Sequence, residues 1–160
     1  LSAAIIEHAL KSDALFWAGV AFAEDAMIGA LLATDPALVR AAAPSERSRA
    51  RKILKDILPV SARTRGLLND ARLTGAPSPM AVETISTPTL AISLEDDRFQ
   101  TLAAARHLAS SVPNARLLMF PSGGHVWVGH NDDLFAAIHA TLANAFEPET
   151  PPIPLTRSPP

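Results

Sequence analysis

The stretch TPTLAISLEDDRF, Thr87 to Phe99, decides how this chain folds. Its first part, TPTLAISL (Thr87–Leu94), is a short apolar run bounded by Pro88 and an acidic cluster, the pattern of a buried strand. Downstream, TLAAARHLASSV sets Leu102, Ala105, Leu108 and Val112 along one side of a helix. After a Pro113–Asn114 turn, ARLLMF (Ala115–Phe120) predicts a second buried strand. The loop SGGHVWVGH follows, and then a last helix opens on Asn131, Asp132 and Asp133, side chains that suit free helix amides and the positive dipole end. Leu134, Phe135, Ile138, Leu142 and Phe146 are its expected buried stripe. Strand–helix–strand–helix is the repeat of a parallel sheet with helices on its faces, so the α/β class is expected. Two strands apolar on both faces need neighbours to cover them, and the chain offers no other convincing strand. It therefore reads as the C-terminal part of a larger protein.

Upstream, the pattern changes. From Leu1 to about Ala76 the sequence is rich in alanine and leucine and reads as helices broken by turns. In TDPAL, Asp35 is the expected N-cap and Pro36 the first helical residue. PSERSRARKILKDILP predicts an amphipathic helix opening after Ser45, with Ala50, Ile53, Leu54, Ile57 and Leu58 on one face. Arg47, Arg51, Lys52 and Lys55 form the opposite, solvated face. Pro59 ends it, and SARTRGLLNDARL begins another helix, weakened by Gly66. At the far end, EPETPPIPLTRSPP holds six of the fourteen prolines and reads as an extended tail. The expected organisation is a helical region over 1–78, a strand-bearing region over 79–147 and a Pro-rich disordered tail over 148–160.

At 160 residues, with 48% hydrophobic and 19% charged residues and a net charge of −2, the chain suits one globular domain with a sizeable core. No concentrated basic field marks a nucleic-acid partner. The absence of cysteine removes disulfides and thiolate metal sites. ALFWAGVAFAEDAMIGALLAT (Ala14–Thr34) is long and apolar, but Glu24 and Asp25 stand at its middle, where each acid costs roughly 2.5–3.5 kcal/mol in a bilayer. A buried soluble helix is the expectation, with contact to a membrane surface the lesser alternative. No charged leader precedes a short apolar run, so no signal peptide is read and a cytoplasmic location is expected.

Ligands of parallel sheets gather at the carboxyl ends of the strands, and both unusual features of this sequence fall there. EDDRF (Glu95–Phe99) follows the first strand, and His125, behind Gly123 and Gly124, follows the second. Neighbouring strands lie about 5 Å apart, which brings the two loops together. A carboxylate that accepts from one imidazole nitrogen fixes the tautomer and leaves the other nitrogen free to take a proton. Spacing alone barely separates Asp97 from Asp96 as that acid. Read blandly, the acids are a solvated loop or cap and the glycines a turn. Glu95, Asp96, Asp97 and His125 match no zinc-type spacing, and no metal or cofactor is expected.

The segment ISTPTLAISLEDDRFQTLAAARHLASSVPNARLLMFPSGGHVWVGHNDDLFAAIHATL resembles the C-terminal end of an α/β-hydrolase: an apolar strand, an acid, a helix, a second strand, Gly-His and a final helix. The likeness covers about Ile85 to Phe146. It implies the C-terminal part of an α/β-hydrolase parallel sheet preceded by an α-helical cap, with Asp97 as triad acid and His125 as triad base. The helical first region is similar in position to the cap of such enzymes, more loosely. The nucleophile elbow G-x-S-x-G occurs nowhere in the chain, and the oxyanion-hole loop is likewise absent. In the family's order both precede the acid, so the resemblance implies an upstream nucleophile, a serine, and an inactive fragment. Leu94 stands where many relatives carry glycine, and Gln100-Thr101 replaces a commoner Val-Pro.

The remaining candidates carry less. Trp17 on the apolar cap helix reads as core, with pocket lining as its functional alternative; Trp127 is expected to pack under the histidine loop or to shape a pocket. His130 reads as a cap or packing residue of the last helix, and His8, His107 and His139 as surface residues. The apolar cap favours a small hydrophobic substrate. The competing class is a non-catalytic helical interaction module that binds a partner helix or lipid through Phe16, Trp17 and Phe22.

Overall fold

A turn at Ala23 divides the long apolar stretch Ala14–Thr34 into two helices. The computed structural model describes residue 8 and residues 10–75 and 80–146, and in it helix α1 (Asp13–Phe22) meets α2 (Glu24–Leu31) at 114°. Ser12 caps α1 by accepting from the Leu15 amide. The acids Glu24 and Asp25 fall in the first turn of α2, where the dipole favours them, and they pair with Arg51 and Arg40 at the surface. No single helix among the described residues is long and apolar enough to cross a membrane.

Helix α3 (Pro36–Ala41) starts as its sequence predicts, with the Asp35 carboxylate accepting from the Ala37 amide at 2.8 Å and Pro36 at the first position. Helix α4 (Pro44–Lys55) begins at a proline and buries Ala50 and Leu54. Helix α5 (Val60–Gly75) follows, tied back to α1 by Asp13, which accepts from the Ser61 amide and hydroxyl. The five helices enclose one core around Phe16, Ile28, Leu54 and Val60, all essentially solvent-free.

The strand region begins with a short 3₁₀ turn (Val82–Thr84) and then runs β1 (Thr89–Leu94), α6 (Leu102–Ser111), β2 (Ala115–Phe120) and α7 (Asn131–Phe146). β1 and β2 pair in parallel, Thr89 opposite Ala115 through Leu94 opposite Phe120. Helix α6 crosses between them and packs on both through Ala105, with Val112 buried just beyond its end. The described chain is thus a mixed α/β structure of seven α-helices and a two-stranded parallel sheet.

Two expectations need correction. β2 is not a buried strand: Arg116, Leu117 and Met119 are exposed. Of the stripe of α7, Leu134 is buried and Ile138 half-buried, Phe135 and Leu142 are about half exposed, and the Phe146 side chain lies outside the described ones. Both errors have one cause, since alternation and helical spacing report which face is apolar, not whether a partner covers it. The expected tail lies outside the described residues.

Val126 and Val128, from the loop after β2, are buried in the same apolar cluster as Phe16, Leu32 and Leu54. The helical region and the loop carrying His125 share a core.

Candidate active site

Because Leu94 and Phe120 are register partners at the ends of β1 and β2, the two loops leave the sheet side by side. Glu95 continues the ladder by donating its amide to the Phe120 carbonyl, and the chain then turns sharply, with the Asp97 amide on the Leu94 carbonyl and the Gln100 amide on the Asp97 carbonyl.

The two adjacent acids do different work. Asp96 binds backbone: its oxygens accept from the amides of Gly123 (3.1 Å) and Gly124 (2.8 Å), clamping the base of the histidine loop. Asp97 binds the side chain: its Oδ2 lies 2.9 Å from His125 Nδ1. The geometry separates what spacing left open, and it brings together the acid and base that the sequence pairs.

The Asp97 carboxyl is almost wholly buried, whereas the His125 ring is 42% exposed. Oδ1 accepts from the Phe99 amide at 2.8 Å, and Oδ2 also accepts from the Thr101 hydroxyl. With its proton so used, Thr101 accepts in turn from the buried Ser93 hydroxyl, 2.9 Å away. Burial is the strongest single influence on Asp97 and pushes its pKa up. The bonds from His125, Thr101 and the Phe99 amide, with the charge of His125, outweigh it and hold the group below the ordinary carboxylate range. An ionised carboxylate only accepts, so in the neutral ring the proton sits on Nδ1, and Nε2 is left as the acceptor. Nε2 makes no hydrogen bond among the described residues. Phe99 meets the imidazole edge-on at 4.8 Å between ring centres.

The loop itself requires its glycines. Gly123 and Gly124 have φ of +134° and +63°, and a Cβ on Gly124 would fall 2.5 Å from the Thr34 side chain. Thr34, fully buried between α2 and α3, donates to the Leu32 carbonyl and accepts from the Val126 amide at 3.3 Å. Next to it, the Ala33 carbonyl accepts from the Arg98 amide, and Arg98 pairs with Asp35 at 3.0 Å. One short segment of the helical region therefore touches both the acid loop and the histidine loop.

Helix α4 supplies a second anchor. Glu46 and Arg49 pair through two bonds; Arg49 donates to the Val126 carbonyl at 2.8 Å, and Glu46 accepts from the Gly129 amide at 3.0 Å. The Arg49 hydrogen bonds lead in holding Glu46 below the usual carboxylate range, against the upward push of burial.

Sequence reading missed Thr34, Glu46, Arg49, Phe99 and Thr101. All but Phe99 and Thr101 lie some 75 residues or more from His125 in sequence, and only tertiary folding joins them. A threonine four residues after an acid was the one visible cue, at Thr101.

The other candidates stand apart. Trp17 is not core: it is 58% exposed and packs edge-on against Phe22, which is 84% exposed. Trp127 is half-buried under Arg49, whose guanidinium lies 5.7 Å from its ring centre, and its buried Nε1 has no hydrogen-bond partner. His130 stacks on Phe120 at 4.2 Å and lies 3.8 Å from Asp133. His8, His107 and His139 are exposed. Among the described residues no three His, Asp or Glu side chains are placed to hold a metal ion. Surface depressions on α5 (Arg65, Leu68, Arg72) and on α4 (Arg47, Arg51, Lys55) include neither Asp97 nor His125. Comparison of the chain with family models, with curated proteins and with solved structures gives no match.

Proposed function

We propose that Asp97 and His125 are the acid–base pair of an α/β-hydrolase, completed by a nucleophile, a serine, from a segment preceding Leu1. The observation that carries this reading is the 2.9 Å bond between a buried, ionised carboxylate and the Nδ1 of a half-open imidazole at the ends of two parallel strands. In that reading Nε2 takes the proton of the attacking hydroxyl. Asp97 stabilises the imidazolium, which returns the proton to the leaving group; a water activated by the same nitrogen then releases the acyl group. The apolar edge of Phe99 beside the ring favours a hydrophobic group on the substrate. No step calls for a cofactor.

The test is turnover of a hydrophobic ester by the complete enzyme. Asp97→Asn, which keeps shape but removes the charge, should lower kcat by about ten-thousand-fold, the figure for the corresponding change in a serine protease. Asp96→Asn should cost far less, since one amide of the clamp stays bonded. Near-normal activity in Asp97→Asn, with collapse in Asp96→Asn, ends the proposal. The 160-residue chain alone should cleave nothing, and a burst of product from it would reveal a nucleophile within it.

The exposed Trp17–Phe22 pair favours a second reading, a binding module that docks a partner helix or lipid through this surface. Phe16 takes no part in it, being fully buried. The coding sequence upstream of Leu1 separates the two: G-x-S-x-G between a predicted strand and helix supports the hydrolase, and a start codon with no such segment supports the module.

A further inference from the structure

Trp127 is the misfit of the histidine loop. Its φ is +45°, a left-handed backbone that bulky L-residues rarely adopt. The turn that carries His125 is closed by the Trp127 amide on the Gly124 carbonyl and the Val128 amide on the Gly123 carbonyl. The second of these bonds spans Trp127 and depends on its keeping this unfavourable conformation. What holds it comes from the cap.

Arg49 donates to the Val126 carbonyl at 2.8 Å, reaches the Trp127 carbonyl at 3.5 Å and lays its guanidinium over the indole. Glu46 fixes that guanidinium with bonds of 3.0 and 2.8 Å and itself accepts from the Gly129 amide. Both side chains are about four-fifths buried, at 21% and 19% exposure, where salt screens an ion pair little. The pair grips the loop at 126, 127 and 129, the stretch directly after the imidazole, and hydrogen-bonds to neither His125 nor Asp97. Carboxylate, carbonyls and ring face together require a planar fork of donors, which arginine has and lysine lacks.

We infer that Arg49, set by Glu46, is the positioning residue of His125. It locks Trp127 in its left-handed conformation and so keeps the imidazole on the line to Asp97. The inference rests on reading Asp97 and His125 as a bonded acid–base pair. Without Arg49, Trp127 relaxes toward an ordinary backbone, the bond from the Val128 amide to the Gly123 carbonyl is lost, and the ring is no longer aimed.

The experiment is nitrogen-15 and proton magnetic resonance on the full chain at low temperature, reading water exchange of the proton on His125 Nδ1. Arg49→Met should speed that exchange by about tenfold or more, the effect of losing one charge-assisted hydrogen bond, while cooperative unfolding persists. Arg49→Lys should fall between. A role in stability alone would lower the melting temperature and leave the exchange rate as in the wild type, and that result overturns the inference. If Arg49→Met does not fold, Glu46→Gln decides: a smaller acceleration supports the inference, and an unchanged rate sinks it. A wild-type chain with no proton on Nδ1 overturns the Asp97–His125 pairing as well, whereas a protected proton indifferent to Arg49 overturns the positioning role alone.

Discussion

In the helical region Phe16, Ile28, Leu54 and Val60 are enclosed by one another's helices, while in the strand region Leu117 and Met119 of β2 and Phe135 and Leu142 of α7 reach solvent. The first has a closed core, and in the second α6 packs on both strands while these side chains stay partly exposed. His125 sits where they meet: Asp96 and Asp97 hold its loop from the strand ends, and Thr34, Glu46, Arg49 and the core around Val126 and Val128 hold it from the helical region. A half-exposed imidazole can be aimed well only if its backbone is fixed by bodies that are themselves rigid. Here the firmer body is the helical one. Stability of this chain and the aim of its histidine should therefore respond to the same substitutions in the helical region, and only weakly to substitutions of the exposed apolar side chains of the strand region.

Phe16→Ala strikes the comparison hardest. Removing a fully buried phenyl ring from the closed core should cost about 3–5 kcal/mol in urea unfolding. A loss below about 1 kcal/mol, the size of an ordinary surface change, would mean that the helical core is not where the stability resides.

Gly124→Ala comes next and tests the junction. The position demands φ of +63°, and the added Cβ would fall against Thr34, so backbone strain and overpacking act together, at about 2–3 kcal/mol. The same variant should weaken the His125–Asp97 bond, read from the imidazole proton. Loss of stability with an undisturbed imidazole would show that the junction does not aim the ring.

A pH series sharpens the sheet side of the junction. Asp97 titrates in the folded chain below its unfolded value, which is near 3.9. A depressed carboxyl contributes its stability fully above the unfolded value and loses it as pH falls through the lower, folded one. The gap in unfolding free energy between wild type and Asp97→Asn should therefore close once the pH drops below about 4. A gap that closes well above pH 5 would place the carboxyl's pKa on the other side of its ordinary range.

How much of this was legible in the sequence follows from the distance over which each feature is decided. Both strands, the crossing helix and the Asp35 cap are set by neighbours a few residues away, and periodicity finds them. That the acidic loop meets His125 was legible because parallel strands put successive carboxyl ends together; only the family resemblance singled out Asp97. Asp96 could not be told from Asp97, since their difference lies in where each side chain points after a turn. Trp17 reads as core by its apolar neighbours, yet α1 turns it to solvent and buries Phe16 and Val20 instead. Glu46 and Arg49 were not singled out among the charges of their helix. Their role depends on a loop some 80 residues on, and one chain without its partners in space cannot reveal that.

The smallest effect belongs to the open face. Met119→Thr on β2 and Phe135→Ser on α7 exchange apolar side chains that are 40% and 49% exposed for polar ones; the first gives up the weak, exposed bond from the Arg106 guanidinium of α6 to the Met119 sulfur, and both lie away from the helical core and the histidine loop. Each should change the unfolding free energy of this chain by about 0.5 kcal/mol or less, as surface substitutions do. Threonine keeps β-propensity in the strand, and serine in a well-exposed helix position costs only a few tenths of a kcal/mol, about the scatter of the measurement. Chains with fewer apolar groups on that face should also stay soluble at higher concentration, because exposed strand and helix apolar surface promotes self-association. Should either substitution cost as much as Phe16→Ala, something covers these side chains in solution, and the contrast between a closed helical region and an open strand region gives way to two bodies that are both closed.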